Sequence, residues 1–195
     1  MESHSTSARR VMPVRALVLT AVFAALTAAG AYICIPVTPT LKFSLQMMFA
    51  LMAGCFLGWK YGMLSQVVYL LLGLVGLPVF ASGNGGFAYV LQPSFGFVLG
   101  FLPAAGVTGL IAHRGETVSV KRLILGCLAG WGMTYLVGMP YMTIILNVYM
   151  EKSMTAAQIL MAGMLPYLPF DALKIVAAVA LGRVLIPQTD KILKK

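Results

Sequence analysis

Asp171 and Lys174 are the side chains here best placed to do chemistry, because both lie in the otherwise apolar run 164–186. A charge at mid-bilayer costs about 2.5–3.5 kcal/mol on insertion scales, so two charges retained in such a run need a partner or a task. Residues three apart on a helix share a face. A carboxylate and an ammonium side by side in a bundle interior can neutralise each other or can clasp a polar ligand. Gln46 opens another apolar run, and Asn84, Tyr89 and Gln92 stand in one loop. Each has a plain alternative: Gln46 as a helix cap, Asn84 in a left-handed turn, Tyr89 as an interfacial anchor, and Asp171–Lys174 as an ion pair that holds its helix. Together they describe a mostly apolar pocket with a few convergent polar groups, the usual make-up of a small-molecule site.

The elements that position these groups belong to a membrane protein. Of the 195 residues, 60% are hydrophobic and 10% are charged, and the mean hydropathy is +0.92. Soluble domains carry about a quarter charged residues. Charges, prolines and glycines divide the apolar sequence into six spans, near 14–35, 45–58, 61–77, 94–112, 122–147 and 157–186. The expected fold is therefore an all-α integral membrane domain over 13–187, flanked by a cytoplasmic tail 1–12, read as retained and not as a signal peptide, and a basic tail 188–195. The second and third spans are short for a ~30 Å hydrocarbon core. They are joined by a turn, Gly58-Trp59-Lys60-Tyr61-Gly62, whose aromatic and basic residues suit an interface. The uncharged loop 77–93, rich in Gly, Pro and aromatics, reads as a lid.

On six spans, Arg9, Arg10, Arg15, Lys60, Arg114, Lys121, Arg122, Arg183, Lys191, Lys194 and Lys195 fall on the side of the N-terminus, with Lys42 and Lys152 opposite. The positive-inside rule then places both termini in the cytoplasm and the polar candidates outside. The net charge of +9 is thus topological; the basic residues are dispersed, without the interleaved aromatics of a nucleic-acid surface. Cys34, Cys55 and Cys127 lie far apart in apolar runs and read as small buried hydrophobes, with no disulfide or metal site. Ala21, Ala25 and Ala29 recur every four residues, marking a face for close helix approach, either within the bundle or to another protein. No phosphate loop, metalloprotease motif or nucleophile elbow occurs, so the chain does not read as an enzyme, and Asp171 is the one acid inside a span. Uphill transport would need energy from a partner.

A resemblance enters with particular strings: LQ at 45–46, GWKYG at 58–62, GLVGLPVF at 73–80, GNGG at 83–86, QPSFGFVLGF at 92–101 and PFDALK at 169–174. In this order they resemble the BioY family, the biotin-specific substrate-binding (S) components of energy-coupling factor (ECF) transporters. The likeness runs from about residue 15 to 186, departing at Gln92 and Phe95, where many relatives carry glycine. It implies a six-helix bundle in a prokaryotic plasma membrane that takes biotin from outside and works with a transmembrane coupling (T) protein and two ATP-binding cassette ATPases. It also implies that Ala21, Ala25 and Ala29 dock the coupling protein, and that Asn84, Asp171 and Lys174 hold the ureido ring of biotin. That ring has two N–H donors and a carbonyl acceptor, so Asp171 would accept while Lys174 or Asn84 donates. Phe80 and Phe87 would cover the apolar part, and Tyr89, Gln92 or backbone N–H groups would meet the carboxylate near the mouth. The alternatives are an S component for another vitamin and a structural membrane subunit without a ligand.

Overall fold

The computed structural model describes residues 14–36, 42–114 and 118–193. The tail 1–12 and the charges Arg9, Arg10, Lys194 and Lys195 lie outside the described residues. Helix α1, Val14–Tyr32, is followed by two short strands, β1, Cys34–Pro36, and β2, Lys42–Ser44, paired antiparallel with Ile35 opposite Phe43. This ribbon is a small addition to a fold that is otherwise helical, as expected. Three-residue strands show no alternation of hydrophobicity long enough to read.

Helix α2 runs Gln46–Val75 but contains a single non-helical residue, Gly58, with φ 72° and ψ −177°. That backbone region is open essentially to glycine alone. In a straight helix Gln46 and Tyr69 would stand about 35 Å apart. Here the Gln46 amide donates a hydrogen bond to the Tyr69 hydroxyl, and a Cβ on Gly62 would come within 2.9 Å of the Gly54 Cα. The chain therefore doubles back at Gly58 into an antiparallel hairpin, and the expected five-residue turn contracts to one residue.

Left-handed Gly76 ends the second arm, in the manner of a C-terminal glycine cap. Two 3-10 turns, Ala81–Gly83 and Phe87–Leu91, shape the following loop. Helix α3 spans Phe95–Ala112 and α4 spans Val120–Ile144, ending in a wide turn, Ile145–Tyr149. The expected span 157–186 is broken: α5, Ala156–Gly163, passes through a 3-10 turn, Leu165–Tyr167, into α6, Leu168–Leu193. Pro166 and Pro169 lack the N–H that would carry one helix through this corner.

Five segments among the described residues are long and apolar enough to cross a membrane: Val14–Tyr32, Gln46–Val75, Phe95–Ala112, Val120–Tyr149 and Ala156–Val184. Leu17, Leu125, Leu136, Val176 and Val184 face outward while Leu51, Phe56, Phe101 and Leu123 fill the interior, as expected where the surrounding solvent is hydrocarbon. Cys55 and Cys127 are buried with their sulfurs 3.6 Å apart, whereas Cys34 is only half-buried and accepts from Ser82 at 3.5 Å. Gly58 approaches His113, a Cβ on Gly126 would lie 2.9 Å from the Thr108 carbonyl, and one on Gly182 would lie 3.4 Å from Leu123. Lys60, Arg114, Lys121, Arg122 and Arg183 thus gather at one end of the bundle. The Tyr141 hydroxyl donates to the Val90 carbonyl and the Tyr32 hydroxyl to the Pro78 carbonyl, so the loop after α2 lies at the opposite end, against the C-terminal ends of α1 and α4.

Candidate functional site

Asp171 lies in the first turn of α6, where the exposed N–H groups of a helix start favour a carboxylate. Lys174 stands one turn on and its Nζ donates to Asp171 Oδ1 at 2.9 Å. Both are almost fully buried, at 3% and 6% exposure. Helix α4 supplies the remaining donors to the acid: Tyr135 Oη at 2.6 Å and Trp131 Nε1 at 3.1 Å, both to Oδ2. The ammonium of Lys174 also stands 4.3 Å from the ring centre of Phe43 on β2, a cation–π distance. Phe43 in turn packs on Phe170 at 4.9 Å.

Gln46 is held from two sides within a short relay. Ser44 Oγ donates to its Oε1 at 2.8 Å, its amide donates to Tyr69, and Tyr69 donates on to the Val79 carbonyl at 3.1 Å. This relay ties the ribbon, both arms of α2 and the loop together. Buried Tyr89 stacks on Phe80 at 4.6 Å and shares a 3.1 Å hydrogen bond with Ser94. Burial pushes the Tyr89 phenol upward, a shift the Ser94 hydrogen bond moderates. Asn84 is exposed and donates to Ala81 O at 2.7 Å, fixing the turn that carries it.

These groups border one cavity of about 330 Å³, at the small end of the ~300–1,000 Å³ typical of small-molecule sites. Six residues singled out in the sequence line it: Gln46, Asn84, Tyr89, Gln92, Asp171 and Lys174. Phe87 does not. Its side chain is 77% exposed, because the turn Phe87–Leu91 directs Tyr89 inward instead. Phe80 is wholly buried beneath Tyr89 and supports that ring without lining the cavity. The apolar walls come from Met47, Phe97, Val98 and Phe101, with Tyr135 and Tyr167 adding rings that carry hydroxyls. Trp131 and Tyr135 went unread in the sequence. The available signal was two aromatics with polar tips four residues apart in a span, since such tips seek a partner when buried, and Asp171 was the acid within reach.

Ala21, Ala25 and Ala29 are all exposed on α1, while neighbouring Ala24 is buried and Ala28 half-buried. The stripe is therefore a surface of the bundle and not one of its internal seams.

The family model described as BioY family matches residues 2–191. The chain is 45% identical over 147 residues to the probable biotin transporter BioY of Lysinibacillus sphaericus, an alignment covering 75% of this chain and 74% of that relative. It is 37% identical over 164 residues to the biotin transporter BioY of Thermotoga maritima, covering 84% and 91%. Among solved structures it is similar to a crystal structure of the S-component for biotin from an ECF-type ABC transporter, with a TM-score of 0.78 and 26% identity over 90% of this chain and 94% of that one.

Proposed function

The chain belongs to the BioY family, and from that premise we propose that it is the biotin-capturing S component of an ECF-type uptake transporter. It binds and carries biotin and does not alter it chemically. The observation that carries this reading is the cavity in which a buried carboxylate and ammonium, 2.9 Å apart, meet polar groups from the start of α2 and from the loop after it inside apolar walls. A ureido ring presents N–H and C=O side by side. Asp171 accepts an N–H and Lys174 donates to the carbonyl, with Asn84 at the rim. The fused rings rest on Phe97, Val98 and Phe101. The biotin carboxylate stays near the mouth, where Gln92, Tyr89 and backbone N–H groups reach it.

Counting the two arms of α2 separately gives six membrane passes with both termini inside. The gathering of Lys60, Arg114, Lys121, Arg122 and Arg183 at the end away from the cavity supports that orientation. The cavity then opens to the exterior of a prokaryotic plasma membrane. The glycine-rich loop after α2 acts as its lid, and Phe43 of the ribbon covers Lys174. Ala21, Ala25 and Ala29 receive the transmembrane coupling protein, which with two ATPases supplies the energy for inward delivery. Capture itself needs no ATP.

Biotin binding by the purified, detergent-solubilised chain alone, beside its Asp171→Asn variant, tests the reading. Tight binding that the variant loses is the expected result. A folded wild type that ignores biotin would overturn it and direct a panel of other vitamins to the same cavity.

A further inference from the structure

The hydrogen bonds around Asp171 are unevenly divided. A carboxylate offers roughly four lone-pair positions. Oδ2 accepts from both Tyr135 and Trp131, and Oδ1 accepts from Lys174. One position remains, on Oδ1, beside the ammonium. Tyr135 borders the cavity, while Trp131 is absent from its wall. Their rings lie 5.2 Å apart on one face of α4, and Phe97 packs edge-on against Tyr135 at 5.6 Å. The two donors are thus braced by the bundle and cannot readily follow the acid if it turns.

From this division of partners we infer that Trp131 and Tyr135 are positioning residues that set ligand selectivity by fixing the Asp171 carboxylate. With Oδ2 occupied from behind, Asp171 presents a single acceptor next to a single strong donor. The ligand edge that fits is an N–H adjacent to a carbonyl, and a ligand alkylated on that nitrogen has no N–H to give and presses its alkyl group against a carboxylate that is held in place by Tyr135 and Trp131 and cannot turn aside. This inference rests on the reading of the chain as a biotin carrier.

The test uses the full chain in detergent and measures affinity for biotin and for biotin methylated on either ureido nitrogen. The variants are Tyr135→Phe and Trp131→Phe, which remove one donor each and keep a ring in place. Expected is a loss of biotin affinity of roughly tenfold or more in each variant, the scale of a hydrogen bond to a charged group, together with a collapse of the preference for biotin over the methylated analogue that wild type rejects more strongly. Unchanged biotin affinity in both variants, or an equal loss for all three ligands that leaves the preference intact, would overturn the inference and leave the rings a packing role. A wild type that binds no biotin is a distinct result, overturning the biotin reading and this inference with it. Either variant alone decides the question should the other fail to fold.

Discussion

Asp171 and Lys174 differ from an ordinary ion pair in what removal of one partner does. Buried pairs contribute little net stability against a hydrophobic substitute, yet deleting one member strands the other and costs about 3–5 kcal/mol. Lys174→Ala should therefore abolish tight biotin binding, measured by calorimetry or radioligand filtration, while Asp171 keeps Tyr135 and Trp131 and the protein remains inserted. Asp171→Asn should likewise abolish tight binding, lowering affinity by more than about 100-fold, because it turns one acceptor into a donor and leaves the buried ammonium unpaired. Tyr89 makes a different prediction. Its phenol is pushed upward by burial, so it stays a neutral hydroxyl and should impose no alkaline loss of binding below about pH 10. Tyr89→Phe keeps the stack on Phe80 and should cost less than about tenfold in affinity. These polar residues were legible in the sequence because each interrupts an apolar run. Phe87 was misread since an aromatic beside glycines gives no sign of which way a 3-10 turn will aim it, and Trp131 and Tyr135 were hidden because ring residues in a span read equally as lipid contacts.

Among the elements, α2 governs the geometry of the site. Its first arm begins with Gln46, its second carries Tyr69, and the hydrogen bond between them exists only because Gly58 reverses the chain. The aromatic stack of the loop depends on α2 as well. A Cβ on Gly73 would run into the ring of Phe80, which supports Tyr89. Gly73→Ala should displace that ring and weaken biotin binding by at least about tenfold with little loss of protein yield, a result that titration of the purified variant would check; unaltered affinity would mean that the loop takes up the methyl without moving Tyr89. The division of α2 into two short arms was legible from GWKYG, since glycine, tryptophan and lysine together mark an interface. The tightness of the reversal was not, because a glycine's φ is set by what packs around it. The break between α5 and α6 had its signal in Pro166 and Pro169, yet the unbroken hydropathy across 157–186 outweighed it.

For the whole molecule, the cavity and the exposed alanine stripe belong to different surfaces. The cavity draws on β2, α2, α3, α4, α5, α6 and the turns between them, and α1 contributes no residue to its wall. Ala25→Leu, on the exposed face of α1, should consequently leave biotin binding by the isolated chain unchanged while lowering ATP-dependent uptake in reconstituted vesicles severalfold or more; equal loss of both activities would argue against separate surfaces. A cysteine placed at exposed Ser82, in a background freed of the native thiols, should react with a membrane-impermeant maleimide in intact cells, and protection there until lysis would invert the topology. The hairpin at Gly58 reaches further still, into biogenesis. Its arms hold 12 and 17 residues on either side of the glycine, and the first is well short of the ~20 needed for an independent span. The insertion machinery cannot hand the first arm to lipid while the second is still in the ribosome tunnel, so both must leave it as a pair. Because α1 already anchors such a chain, the readout is local: a cysteine in the first arm should stay reactive to a water-soluble maleimide while the nascent chain is halted between the arms, and become protected once Gly76 has emerged.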